Sequence, residues 1–269
     1  MSTTAQFRLL HPDLVPQRRE VLAQAASMLV QMGLDDTLVS ASAVHQRLAR
    51  VVLASSDVIE WTPALEDQAP SDQLVGVARV GGDRGAVFLS SLLIAYLDVL
   101  ENVARMGTSL PEEEWRTLMW APTALFDHIL GRAPAGLAIT TPPPRGSEHL
   151  PQDRWTAGHR LFLALLQGVR FAVSGLLRAA SDGDKTLVLE DVALATATLR
   201  AATIALRFAG DTGAWSCGAR VDTRDHAYLC AVVEDLRIVV PRIRFEQFAA
   251  ALADLNGLHG APRLLAAGN

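Results

Sequence analysis

An all-α fold, one globule of about seven to nine helices, is what this sequence predicts. Three observations predict it. Half of the 269 residues are hydrophobic and only 20% are charged, which is ample for one large core. Apolar residues recur at alternating spacings of three and four, the period of a helix with one buried face. The interruptions fall at Gly, Pro and Asp, residues that stop and start helices.

The spacing predicts a first helix from Pro16 to Met32, ended by Gly33, with Val21, Ala25, Met28 and Met32 as its buried stripe. A second, over residues 37–54, aligns Leu38, Ala41, His45, Leu48 and Val52. Residues 55–85 are the least regular, and Leu74–Val80 reads as a short strand or an extended loop. A long helix follows from Ala86 to Met106, stopped by Gly107. Ser109-Leu-Pro-Glu112 has the form of a capping box. It opens a helix whose apolar face is Trp115, Met119, Phe126 and Ile129, and which Pro122 kinks or splits.

Residues 131–152, with Thr141-Pro-Pro-Pro144, read as a Pro-rich loop between the two halves of a single helical domain spanning 1–269. Next comes a long helix over 153–180. Trp155, His159, Phe162, Leu166, Val169, Val173 and Leu176 form its continuous row. Gly158, Gly168 and Gly175 lie along it, each costing about 1 kcal/mol against Ala, so a flat ligand or another helix approaches the backbone closely. After Asp182-Gly-Asp184, an Ala- and Leu-rich helix over 187–208 has a thin polar face and reads as central. A loop over 209–224 carries three glycines with Trp215 and Cys217. The next helix, capped by Thr223 or Asp225, aligns His226, Leu229, Val233, Leu236 and Val240. Pro241 interrupts it, and a last helix from Arg244 to Leu255 closes on Gly257.

Composition excludes several classes. A net charge of -5 with no basic run argues against nucleic acid. The apolar tracts around residues 87–103 and 161–177 are interrupted by polar residues, so no membrane span is expected. The Met-Ser-Thr-Thr start has no signal-peptide pattern, and two cysteines fit a reducing cytoplasm. Lys185, the only lysine, lies at a helix start, where a solvated residue is expected rather than a Schiff base. P-loop, Gly-rich dinucleotide, His-Glu-x-x-His and Cys-x-x-Cys motifs are absent.

The chemistry that remains centres on histidine. His45, His159 and His226 fall on apolar faces of three separate helices. Each reads either as a core histidine bonded to a carbonyl or as a residue touching a ligand. Zinc wants three or four close ligands and a di-iron bundle wants Glu-x-x-His pairs, and neither set can be assembled from this sequence. Haem needs one axial histidine, an apolar slot and a distal group, which suits the chain better. His226 and Cys230 lie one helical turn apart. They read as a ligand with a thiol beside it, or as a chance pair with Cys230 a buried small hydrophobe.

Gly158-His-Arg-Leu-Phe162, Leu206-Arg-Phe-Ala-Gly-Asp211 and Asp225-His-Ala-Tyr-Leu-Cys230 resemble the histidine-ligated haem-dependent aromatic oxygenases. That superfamily includes tryptophan 2,3-dioxygenase and bacterial haem-dependent tyrosine hydroxylases. The resemblance covers about the last 110 residues. It implies a helical bundle around haem b, with His159 as proximal ligand and His45 as distal histidine. His226 and Cys230 are similar to a His-x-x-x-Cys element that holds haem through one thioether, so His159 and His226 compete for the iron. Phe162 and Trp215 would contact the cofactor or the substrate, and Arg160 or Arg220 would hold the substrate's carboxylate. The substrate would be a small aromatic amino acid or related metabolite of natural-product biosynthesis, and the oxidant dioxygen or hydrogen peroxide. The loop after Asp211 departs from the family pattern, being shorter and without its Arg-Pro segment.

Two other classes stand beside this one. A non-catalytic helical binding or regulatory protein with an apolar pocket explains the apolar helices without a cofactor. A cofactor-free enzyme or structural partner subunit would expose a large apolar face. A homodimer is the default for such a chain.

Overall fold

A computed structural model describes residues 7–29, 61–63, 70–132, 151–211 and 224–260. The sequence there builds eight α-helices and a small sheet: β1 (Phe7–Leu10), α1 (Arg19–Leu29), β2 (Trp61–Pro63), α2 (Pro70–Leu74), β3 (Val77–Gly82), α3 (Arg84–Met106), α4 (Glu112–Leu130), α5 (Pro151–Ser181), α6 (Lys185–Gly210), α7 (Arg224–Val239) and α8 (Arg242–Gly260). The all-α multi-helix class holds.

The long helices begin and end as their local chemistry dictates. Asp83 caps α3 by accepting from the Ala86 N–H, and Gly107 closes it, donating to the Val103 carbonyl. Asp184 caps α6, accepting from Thr186 and Leu187 N–H groups at 3.0 Å each. Between α5 and α6, Gly183 adopts φ +74°, which only glycine takes without strain, so the helices fold back on each other as a hairpin. Lys185 is exposed at the start of α6, as expected.

The α5–α6 pair is the centre of the molecule. Every member of the row from Trp155 to Leu176 is buried, and Phe162, Leu166, Val169, Val173 and Leu176 are fully so. A Cβ on Gly158 would lie 2.6 Å from Ala209 Cβ and 2.8 Å from the Ala205 carbonyl of α6. A Cβ on Gly168 would meet Leu125, and one on Gly175 would meet Asp191. Neighbouring helices, not a flat ligand, therefore account for the close approach. α3 and α8 pack against this pair, and one apolar core runs from Phe7 to Leu255.

Three helices, α3, α5 from Gln152 and α6, are long and apolar enough to cross a membrane by length and composition. Of their apolar windows, 72%, 72% and 78% are buried inside the protein, so the apolar length is used in packing.

Several local expectations are corrected. The sheet has order β1-β3-β2, with β1 parallel and β2 antiparallel to β3, so residues 77–82 are a strand with partners that short length hid. Among the described side chains of α1, Leu22 and Ala26 are buried and Ala25 packs partly buried on the core, whereas Val21 is 48% exposed and leaves the expected stripe; the Met28 and Met32 side chains lie outside the described residues. Ser109 caps nothing: its hydroxyl and N–H both turn to Asp211, leaving Pro111 at the α4 N-cap without a side-chain bond. Pro122 sits inside a continuous α4, and the last helix runs through Gly257 to Gly260. The expected helix over 37–54 and the loops over 133–150 and 212–223 lie outside the described residues.

Candidate active site

The first turns of α5 carry two of the expected site residues. His159 is 8% exposed, and its Nδ1 lies 2.8 Å from the Trp155 carbonyl oxygen. A carbonyl only accepts, so Nδ1 carries a proton in this contact. The Trp155 and His159 rings are 4.3 Å apart and tilted by 40°. Phe162, one turn on, is packed into the core at 0% exposure.

Arg160 leaves α5 on another side. Its Nε donates to the Val75 carbonyl at 3.0 Å, Nη1 donates to Asp98 Oδ2 at 3.4 Å, and its guanidinium lies 5.5 Å from the Phe7 ring centre. It lines a polar cleft of about 400 Å³ with Asp98, Glu101, Arg105 and Thr156. Burial pushes the Asp98 carboxyl up, and Arg160 pulls it part of the way back.

On α7 the geometry is different. His226 is half-buried, with Nε2 2.7 Å from Asn256 Oδ1 on α8 and 3.9 Å from Cys230 Sγ. Cys230 is exposed, so the alternative of a buried small hydrophobe fails. Asp225 caps nothing; it is fully buried and paired with Arg79 at 3.4 Å. Burial pushes its carboxyl up, against Arg79 and Arg170. Among the described residues no group of three His, Cys, Asp or Glu is placed to hold a metal ion, so His159 and His226 do not form one ligand set with carboxylates. His45, Trp215 and Arg220 lie outside the described residues. Asn256 was missed because nothing in a helix expected to end at Gly257 distinguishes an asparagine that faces α7.

The Gly210-Asp211 segment ends α6 in a polar knot. Asp211 accepts from Thr108 Oγ1 at 3.0 Å, the Ser109 N–H at 2.8 Å, the Ser109 hydroxyl and Arg154 Nη1 at 2.8 Å.

The family model for SfmD 3-methyl-L-tyrosine peroxygenase matches residues 8–216, more than half of the sequence. The chain belongs to the SfmD 3-methyl-L-tyrosine peroxygenase family. It is thus a haem-dependent oxygenase of natural-product biosynthesis that acts on an aromatic amino acid. The crystal structure of reduced SfmD, soaked with sodium hydrosulfite, superposes with a TM-score of 0.79 over 95% of this chain and 96% of that one, at 23% sequence identity. That likeness shows a shared fold. No curated protein matches by sequence.

For a member of this family the relevant test is whether a residue set here suits a haem. His226 and Cys230 offer donor types that haem accepts, with Nε2 and Sγ 3.9 Å apart on a half-open face of α7, and Nε2 also faces Asn256 Oδ1 at 2.7 Å.

Asp211 also makes a measurable prediction. Burial works to raise its carboxyl, but the Ser109 N–H, the Ser109 and Thr108 hydroxyls and Arg154 outweigh it, and the result lies below the ordinary carboxylate range. A depressed folded value means stability fully present above the unfolded pKa of about 3.9, and lost as pH falls through the lower folded value. The melting-temperature gap between the parent and Asp211→Asn should therefore be constant near neutrality and close below about pH 4. A gap independent of pH would show that the carboxylate's charge contributes nothing.

Proposed function

We propose that this chain hydroxylates the ring of a tyrosine-type amino acid with hydrogen peroxide, holding its haem through His226 and Cys230. What carries the reading is the imidazole–thiol pair at 3.9 Å on α7. The family's description as a 3-methyl-L-tyrosine peroxygenase supports the substrate class and the oxidant. One peroxide oxygen enters an aromatic C–H bond and the other leaves as water, so no external reductant is needed.

Bound haem supplies an iron that activates the oxidant. The remaining work falls to the chain's own groups. His226 would hold the iron through Nε2, which must first give up its 2.7 Å contact with Asn256 Oδ1 on α8. The Cys230 thiol would tether the haem by adding across a porphyrin vinyl group, the S–H and C=C π bonds giving way to one C–S and one C–H bond with no oxidant consumed. His159 serves packing in this reading, since its ring lies 4.3 Å from the Trp155 ring and it is 8% exposed. By the family resemblance His45 would hold and return a proton, Trp215 would contact the substrate ring, and Arg220 or Arg160 would take the substrate carboxylate. Arg160 must loosen its 3.4 Å pairing with Asp98 to do so.

The test is an absorption spectrum of protein expressed with haem precursor, followed by acid–acetone extraction. A Soret band that survives extraction is expected, with Cys230→Ala giving extractable haem. His226→Ala should weaken haem binding by more than roughly a hundredfold, beyond what loss of an outer partner costs, while His159→Asn retains the band. Absence of any Soret band after added haemin, or an unchanged spectrum in His226→Ala, sinks the reading.

A further inference from the structure

Directly beside the proposed ligand lies a buried polar cluster that the chemistry so far does not use. Arg79 of β3 is 7% exposed. Its Nε and Nη2 donate to Asp72 Oδ2 and Oδ1, both at 2.9 Å, and its Nη1 donates to the Leu10 carbonyl at 3.1 Å and to Asp225 Oδ2 at 3.4 Å. Asp225, at 0% exposure, is the second residue of α7 and precedes His226. We propose that Asp225, held by Arg79, is a positioning residue that sets the rotation of the first turn of α7 and so aims His226 and Cys230.

The argument is geometric and rests on the His226–Cys230 reading. Successive residues on a helix are about 100° apart, so pinning the Asp225 carboxylate inward places His226 on the adjoining flank and Cys230 one turn above it. Tyr228 supplies a second point on the same helix: Arg170 lies 4.1 Å from its ring centre, and Ser174 Oγ lies 3.5 Å from its hydroxyl. Tyr228 tethers α7 to α5, whereas Asp225 ties it to β3, and two points on different elements fix a rotation that one leaves loose. The cluster is poorly explained as a stability device. Arg79 already forms a two-point pair with Asp72, and a second buried carboxylate on one guanidinium adds an ion whose desolvation is costly.

This imbalance makes the test practicable. Removing Asp225 leaves the Arg79–Asp72 pair intact, so Asp225→Ala should fold; Asp225→Ser, too short to reach Arg79, is the second variant. The readouts are far-UV dichroism, apoprotein melting temperature, and the fraction of haem retained after acid–acetone extraction. Asp225→Ala is expected to keep its helicity and lose about tenfold in haem affinity or linked fraction, the scale of a lost outer partner. Asp225→Asn, which still accepts from Arg79, should restore most of it. Asp72→Asn perturbs the same cluster away from α7 and should leave the linked fraction unchanged. A wild-type linked fraction in Asp225→Ala and Asp225→Ser overturns the proposal, as does an equal loss in Asp72→Asn, which would mark a purely structural role. A parent protein with no linked haem, or one indifferent to His226→Ala, fails the function reading instead.

Discussion

Replacing Arg154 by Met is expected to destabilise the protein by about 3–5 kcal/mol, the cost of leaving a buried charge unpaired. That corresponds to a melting temperature lower by roughly 10 °C in a chain of this size. The Arg154 side chain is 3% exposed and gathers three helix ends. Nε donates to Asn102 Oδ1 at 3.0 Å, Nη1 to the Asp211 carbonyl at 3.0 Å and its carboxylate at 2.8 Å, and Nη2 to the Gly107 carbonyl. The guanidinium also lies 5.1 Å from the Phe208 ring centre. Methionine keeps the length of the stem and most of the volume, so the loss reports the hydrogen bonds rather than a cavity. Lysine keeps the charge but cannot match a fork onto four acceptors, and Arg154→Lys should recover less than half of the loss. Urea unfolding measures both; a loss under 1 kcal/mol in Arg154→Met would show that Asp211 and the ends of α3 and α6 are held by other means.

This knot also shows where the sequence was legible and where it was not. A helical row is read from spacing alone, which is why the α5 row from Trp155 to Leu176 came out buried throughout. The same holds for the Asp184 start and the Gly107 stop, since caps are local chemistry. Ser109 misled because a capping box and a long-range acceptor compete for one hydroxyl, and Asp211, 102 residues away in sequence, won. Of the two expected caps of α7, Thr223 lies outside the described residues, and Asp225 is claimed instead by a buried arginine 146 residues distant. The strands were hidden because four- and six-residue segments carry little periodicity, and their pairing is decided by register across the chain. At the site, His226 and Cys230 were legible as an i, i+4 pair, whereas Asn256 and Arg79 depend on which helices and strands meet.

Phe162 tests the remaining ambiguity between core and cofactor. The resemblance places it against the haem, yet its side chain is at 0% exposure within the apolar core. If it is a core residue, Phe162→Ala should cost about 3–5 kcal/mol, the transfer of a benzyl group plus the cavity left behind. Phe162→Leu, which refills most of that space, should cost less than about 2 kcal/mol. Neither should move the Soret maximum or the fraction of haem that resists extraction, because α7 carries the proposed ligand and α5 is a neighbour, not the support of that bond. The opposite pattern is equally readable. A small stability loss in Phe162→Ala with a shifted Soret band would place the ring on the porphyrin face, and would return His159, one turn before it on the same row, to the contest for the iron.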